Sequence, residues 1–174
     1  QGGRRTRYTA QGALVVGLLV LAVLVAGLTQ FRRFQPAPID VGPIVNFLNK
    51  DQHDRWRFIT LGFGDQMAWL SAQTTATQVD GNYHSARRLP ELTTTPIERL
   101  EGAKYSGVPG IGSLQQVLAA PDKYNLKFVF SNDQFYDPLL FFYGWQNIGV
   151  LENGIAIWER EDIPVLPATL PRRE

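Results

Sequence analysis

Between Gly12 and Leu28 the chain carries no charged and no polar side chain. A helix apolar on every side cannot lie on the surface of a globular domain, because it has no face to turn to water. At ~1.5 Å per residue the run covers roughly 25 Å, close to the ~30 Å hydrocarbon core of a bilayer. Arg4, Arg5 and Arg7 precede it and Arg32 and Arg33 follow. Their long side chains can reach outward to the headgroups, with Tyr8 and Phe31 placed for the two interfaces. The pattern predicts a basic tail over 1–11 and a transmembrane helix over 12–31. The competing reading is a secretory signal cut near Val25-Ala26-Gly27.

Three arginines before the span and two after it give a positive-inside bias toward a cytoplasmic N-terminus. The remainder is then expected on the periplasmic or extracellular side of a bacterial inner membrane. Gly17 and Gly27 would let a neighbouring helix approach closely, so lipid and other membrane subunits are the expected partners of the span. Gln1 in place of Met predicts a processed start or a piece of a longer polypeptide.

Of the 174 residues, those beyond the span suffice for one domain with its own core. A net charge of +1 gives no electrostatic case for nucleic acid, which needs a clustered basic face. The absence of cysteine excludes disulfides, thiolate nucleophiles, iron–sulfur clusters, thiolate zinc sites and haem attached through Cys-x-x-Cys-His.

Residues 32–43 hold Pro36, Pro38 and Pro43 and read as an extended connector. Residues 44–163 read as an α/β (α+β) domain, and 164–174, with Pro164, Pro167 and Pro171, as an extended tail. Asp40 is placed to cap a helix over 41–50. RWRFITL (55–61) alternates as a strand. Gly62-Phe63-Gly64 turns the chain into a helix over 65–72, and 76–80 is a second short strand or loop. Pro96 opens a helix to Tyr105. Gly107 to Gly112 reads as a connector, with Ser113 capping a helix to Ala119 that Pro121 stops. LKFVF (126–130) is a strand and Asp137-Pro138 opens a helix. Strands over 146–151 and 155–160 flank Asn153-Gly154, the signal of a type I′ hairpin. Strands alternating with helices predict a mixed sheet with helices packed on it.

Each candidate site has a plain structural alternative. Gly62-Phe63-Gly64-Asp65 stands where a dinucleotide-binding turn would, but Met67 occupies the third glycine position, so a tight turn capped by Asp65 is the better reading. Gly107 to Ser113 presents backbone amides but no lysine follows, so it is not a phosphate loop. Asp80, His84, Arg87 and Arg88 combine two guanidinium forks with a carboxylate and an imidazole. They form a candidate phosphate or carboxylate site or a solvated loop. Asp51, His53 and Asp54 have metal-compatible side chains but no second histidine nearby. No nucleophile elbow and no Ser/His/Asp arrangement is present. The reading is therefore of no enzyme, no metal and no cofactor.

FYDPLLFFYGW differs in kind: six of its eleven residues are aromatic and only Asp137 is charged. A helix apolar nearly all round needs burial on more than one side. Phe135, Tyr136, Phe141, Phe142, Tyr143 and Trp145 either make up a central core element or also meet a partner or the membrane.

The stretch KYNLKFVFSNDQFYDPLLFFYGWQNIGVLENGIAIWERED resembles the C-terminal extracytoplasmic portion of bacterial multi-pass membrane proteins of the GT-C glycosyltransferase type. WRFITLGFGDQ and DGNYHSARRLPEL resemble earlier parts of such domains, so the likeness spans about Arg55 to Asp162. It lies in strand and turn residues. The family's catalytic acidic residue sits in an early loop of a many-helix membrane domain, which no position here matches, so the resemblance carries no catalytic role onto this chain. It implies the last transmembrane helix and C-terminal domain of a longer protein, or a shortened relative recruited as a structural subunit.

Three functions follow as expectations. The first is a non-catalytic single-span accessory subunit of a larger membrane complex, an electron-transfer assembly being the leading host. The second is the C-terminal domain of a polytopic GT-C type glycosyltransferase acting on lipid-linked sugars. The third is a ligand-binding or sensory domain with a pocket near Asp80, His84, Arg87 and Arg88.

Overall fold

The computed structural model describes residues 2–31, 37–81, 89, 93 and 100–165, with side chains in the first of these segments described over 12–27. The chain divides into two compact units, Gln1–Phe34 and Gln35–Glu174.

The first unit is one helix, α1 (Gly2–Phe31). From Leu14 to Val25 its large apolar side chains are 52–70% exposed. Among the described residues no helix is long and apolar enough to cross a membrane. The part of α1 with described side chains, residues 12–27, amounts to roughly 24 Å of helix.

The second unit is built on a four-stranded mixed sheet of order β1-β2-β4-β3. The strands are β1 (Arg57–Leu61), β2 (Leu126–Ser131), β3 (Gln146–Val150) and β4 (Ala156–Glu159). β1 and β2 are parallel, and β4 runs antiparallel to both β2 and β3. A parallel pair needs a crossover, and the long one between β1 and β2 carries α3 (Gln66–Ser71), a 3₁₀ turn (Leu100–Ser106), α4 (Gly107–Ala119) and α5 (Pro121–Tyr124). α2 (Gly42–Asn49) precedes β1, and α6 (Asp137–Phe142) joins β2 to β3.

Alternation along the strands builds two cores. Ile59, Leu61, Val129 and Trp158 point to the face covered by Leu114, Val117 and Leu118 of α4 and Leu140 of α6. Phe58, Phe128, Phe130 and Ile157 point to the other, covered by Ile44 and Leu48 of α2 and Met67 and Leu70 of α3. Each such fully buried side chain contributes about 1.5–3 kcal/mol. Thr60 falls on the second face as a polar exception: Gln78 Nε2 donates to its hydroxyl at 3.0 Å, and Ser71 Oγ donates to Gln78 Oε1 at 2.9 Å. The segment expected as a short strand or loop is a loop that supplies an isolated parallel bridge, Gln78 to Phe58.

Several local expectations are corrected. The connector joins the domain from Ala37 onward, because Gln66 Nε2 donates to Ala37 O (3.0 Å) and Asn153 Nδ2 to Asp40 O (2.6 Å). Val41, not Asp40, is the N-cap of α2, although Asp40 Oδ1 accepts the Gly42 N–H at 2.9 Å. Asp65 precedes α3 without a capping hydrogen bond from its side chain.

Gly107 to Gly112 is the start of α4 and not a connector. Gly107 reverses the chain at φ +62, Pro109 fits the first turn, and Ser113 sits inside the helix with Oγ donating back to Pro109 O at 3.1 Å. Gly110 is needed because a Cβ there would meet Ala103 O at 2.4 Å. The hairpin is not type I′, since Asn153 keeps negative φ and only Gly154 (φ +81) is left-handed. Gly154 N–H bonds Leu151 O (2.8 Å) and Leu151 N–H bonds Ile155 O (2.9 Å). That is the three-residue loop with a glycine bulge, in which Asn153 Oδ1 accepts the Ile155 N–H.

Candidate functional site

In an open sheet with parallel strands, ligands gather outside the carboxyl ends of the strands. Here that end is formed by Gly62 after β1, Asn132 after β2 and Val150 at the end of β3, all pointing the same way through the observed pairings. The connector lands at this end too, on Gln66 and Asn153.

Beside β1 the end is closed by the protein's own side chains. The buried Glu101 sets its carboxylate on the Gly64 N–H (2.7 Å), the position an anion would take in a glycine turn. The Glu101 carbonyl accepts from Gly62 N–H (3.4 Å) and from the Tyr136 hydroxyl (3.1 Å). The Tyr136 oxygen in turn accepts the Lys104 N–H at 3.2 Å. Lys104 Nζ is paired with the Asp133 carboxylate. Gly62 sits at φ +79, where a Cβ would press on Asp133 Cβ at 2.8 Å. The glycines therefore serve a close crossing of two loops, and the sequence reading of a tight turn over a dinucleotide site agrees with this geometry.

In this network Lys104 pairs with Asp133, and the Glu101 carboxylate is held by a backbone N–H. Burial, foremost, pushes the Tyr136 hydroxyl well above the ordinary tyrosine value; the Lys104 N–H opposes this, while the Asp133 and Glu101 charges add to it. Burial lowers the Lys104 ammonium, but the hydrogen bond and charge of Asp133 outweigh it and the net shift is upward.

Beside β2 and β3 the same end is open. A recess of about 400 Å³ is lined by Asn132, Asp133, Gln134, Asp137 and Asn147, with Val150 on its apolar side. Asp133 is engaged there by Lys104 and caps the turn through the Phe135 N–H (3.1 Å). Burial and then the neighbouring Asp133 charge raise the Asp137 carboxyl above the ordinary aspartate value. Sequence reasoning did not single out these residues. The available signal was the run Ser-Asn-Asp-Gln directly after an apolar strand, where a strand end meets solvent.

The aromatic segment divides. Tyr136 and Trp145 are wholly core, Trp145 anchoring its Nε1–H on Leu118 O at 3.2 Å. Tyr143 is half-buried against the same core. Phe135, Phe141 and Phe142 are 56%, 77% and 78% exposed. Of the six aromatics two are therefore core, one is half-buried and three are exposed, Phe141 and Phe142 because α6 turns only one stripe inward.

Among the other sequence candidates, Asp80 is buried and its Oδ2 accepts the Leu100 N–H at 2.7 Å, so it holds the start of the 3₁₀ turn. His84, Arg87 and Arg88 lie outside the described residues. His53 packs tilted against Phe47 and Phe128, ring centres 4.4 and 4.9 Å apart, with Nδ1 on Phe47 O. Asp54 accepts the Thr75 hydroxyl. Among the described residues no group of His, Asp or Glu converges as a metal site. A Cβ at Gly17 or Gly27 would meet nothing within 4 Å. No family model, no curated protein and no solved structure matches the chain.

Proposed function

We propose that the protein is a membrane-anchored, non-catalytic accessory subunit, held by α1 and presenting an extracytoplasmic α/β domain to neighbouring subunits of a larger complex. The observation that carries this reading is the exposure of α1: its Leu and Val side chains from 14 to 25 stay more than half exposed on every side. Such a surface in water costs ~25 cal/mol for each Å² of apolar area, and lipid or other membrane helices relieve that cost. The uncovered Phe141 and Phe142 on α6 support a contact role for the domain, since soluble surfaces seldom place two neighbouring phenylalanines in water without a partner. The closed joint beside β1 favours a bracing domain over a nucleotide-binding one.

Anchoring is tested by fractionation. The full-length protein should stay with membranes through alkaline carbonate washing and leave them only in detergent. Release by carbonate alone contradicts the reading.

The second reading is the C-terminal domain of a polytopic GT-C type glycosyltransferase, contributing to recognition of a lipid-linked sugar. The polar recess at the strand ends is the observation in its favour. Sequencing the transcript upstream of Gln1 separates the two: many further apolar spans favour the transferase, and none favours the accessory subunit.

A further inference from the structure

Exposed apolar side chains of the α/β domain gather at both ends of its sheet. Phe141 and Phe142 close α6, and Trp145 just beyond them donates its Nε1–H to Leu118 O near the end of α4. That is the end at which β2 and β3 begin. A second group lies at the opposite, carboxyl end of the parallel pair. The Glu101 contacts to Gly62 and Gly64 fix the 3₁₀ turn there, and α4 runs from that turn back toward the start of β2. Tyr105 on the turn and Val108 in the first turn of α4 are thereby left at the carboxyl end, 81% and 87% exposed. Phe135 follows β2 at the same end, 56% exposed. The Lys104 ammonium lies 5.0 Å from the Tyr105 ring centre and 5.7 Å from that of Phe135.

The composition of this group favours lipid over protein as its cover. Lysine is depleted at the centre of protein interfaces, whereas aromatic rings beside a lysine suit the headgroup level of a bilayer, where the ring bodies are apolar and the ammonium stays in water. From Tyr105 to Pro121 the chain carries no charge that would oppose contact with an apolar boundary. The path of the chain points the same way. The connector enters the domain at the carboxyl end: Gln66 Nε2 donates to Ala37 O (3.0 Å), and the Ile39 N–H donates to Gln66 Oε1 (2.6 Å). Five residues, 32–36, separate the last residue of α1 from Ala37, and that stretch reaches roughly 20 Å at full extension. The C-terminal segment is held at the other end, where Trp56 Nε1 donates to Ile163 O (2.9 Å) and Asn125 Nδ2 to Pro164 O (3.2 Å).

We propose that Tyr105, Val108 and Phe135, with Lys104 beside both rings, dock on the interfacial zone of the bilayer that holds α1. Apolar surfaces bound in that zone settle ~5–10 Å into the headgroup boundary. The side chains at the carboxyl end enter it, and the Lys104–Asp133 pair stays at the polar level above. Phe141 and Phe142, at the opposite end of the sheet, are then kept for a neighbouring subunit. This inference rests on the anchoring of α1 and names the lipid-facing surface of the anchored domain.

The chain has no cysteine, so a single thiol can be placed at will and labelled with the environment-sensitive fluorophore NBD. Tyr105→Cys, Val108→Cys and Phe135→Cys are labelled one at a time in the full chain, reconstituted into phosphatidylcholine vesicles with and without a nitroxide on the lipid headgroup. All three positions are exposed, so the label displaces no core side chain. Asp122→Cys, exposed on α5 at the opposite end of the sheet, is the reference for a surface in water. Leu19→Cys in α1, with a nitroxide deep in the acyl chains, reports anchoring separately. Blue-shifted emission and loss of emission to the headgroup nitroxide are expected at 105, 108 and 135, with neither at 122. Losses no greater than at Asp122 at two or more of the three, with the Leu19 label quenched, overturn the inference and leave the anchoring reading standing. A blue shift without nitroxide quenching assigns the surface to protein, a second copy of the chain, and overturns it too. An unquenched Leu19 label overturns the anchoring reading and this inference together.

Discussion

The two halves of the sheet's carboxyl end received opposite treatment from similar material. Beside β1, glycines, a glutamate, a lysine, an aspartate and a tyrosine form a joint in which Glu101 takes a backbone N–H, Lys104 pairs with Asp133 and Tyr136 donates to the Glu101 carbonyl. Beside β2 and β3, amides and a carboxylate stand around an open recess, and phenylalanines next to them face outward. The glycine turn stands where a dinucleotide-binding turn would, and the Glu101 carboxylate occupies its Gly64 N–H. A polar group whose hydrogen bonds are satisfied internally has little left to offer a ligand.

The comparison breaks most readily at the glycines of the closed half. Gly110→Ala places a Cβ against a backbone carbonyl, and Gly62→Ala adds left-handed strain to a close contact. Each should cost about 2–4 kcal/mol in urea or thermal unfolding. An unchanged midpoint in both would show that the joint is not tight. Next comes Glu101→Ala, which strips the Gly64 N–H of its buried acceptor and should cost about 1–3 kcal/mol.

Tyr136→Phe should cost somewhat less, about 1 kcal/mol near neutral pH, with a distinctive alkaline signature. The folded hydroxyl ionises only well above the ordinary tyrosine value, so the unfolded chain loses its proton first as pH rises. The Tyr136 contribution is therefore complete below pH ~10 and declines above it, and the phenylalanine variant should lose that part of the decline. Equal alkaline slopes for both proteins would contradict the assignment. Asp137 carries the opposite expectation for the open half. Its raised carboxyl favours the folded state only in acid, a contribution lost as pH rises through the folded value, so Asp137→Asn should not weaken the fold at neutral pH. The smallest effect on stability belongs to Phe141→Ser with Phe142→Ser, within about 0.5 kcal/mol for two exposed positions. If they form a contact surface, the pair should nonetheless reduce association with neighbouring subunits in a co-purification assay.

The fold was legible where a local pattern and the tertiary structure agree. LKFVF alternates between two cores and is β2; Asp137-Pro138 opens α6; the apolar pairs around Asn153-Gly154 give β3 and β4. The local pattern misled at 107–112, where three glycines and a proline read as a connector but start α4. Gly110 is there for the approach to Ala103, a contact invisible to propensity. The closed joint was illegible for a similar reason: Glu101 meets a glycine 37 positions away, and no spacing rule reaches that far. The aromatic segment was half legible. Its composition indicated burial beyond one side, and only the setting of α6 on the sheet shows which rings remain outside.

The central claim is a membrane-held subunit acting beside others, and native mass spectrometry of the detergent-solubilised particle tests it most directly. The account predicts stoichiometric partner chains that co-purify through mild detergent, with lipid retained on the particle. A single monodisperse species without partners or lipid would contradict it.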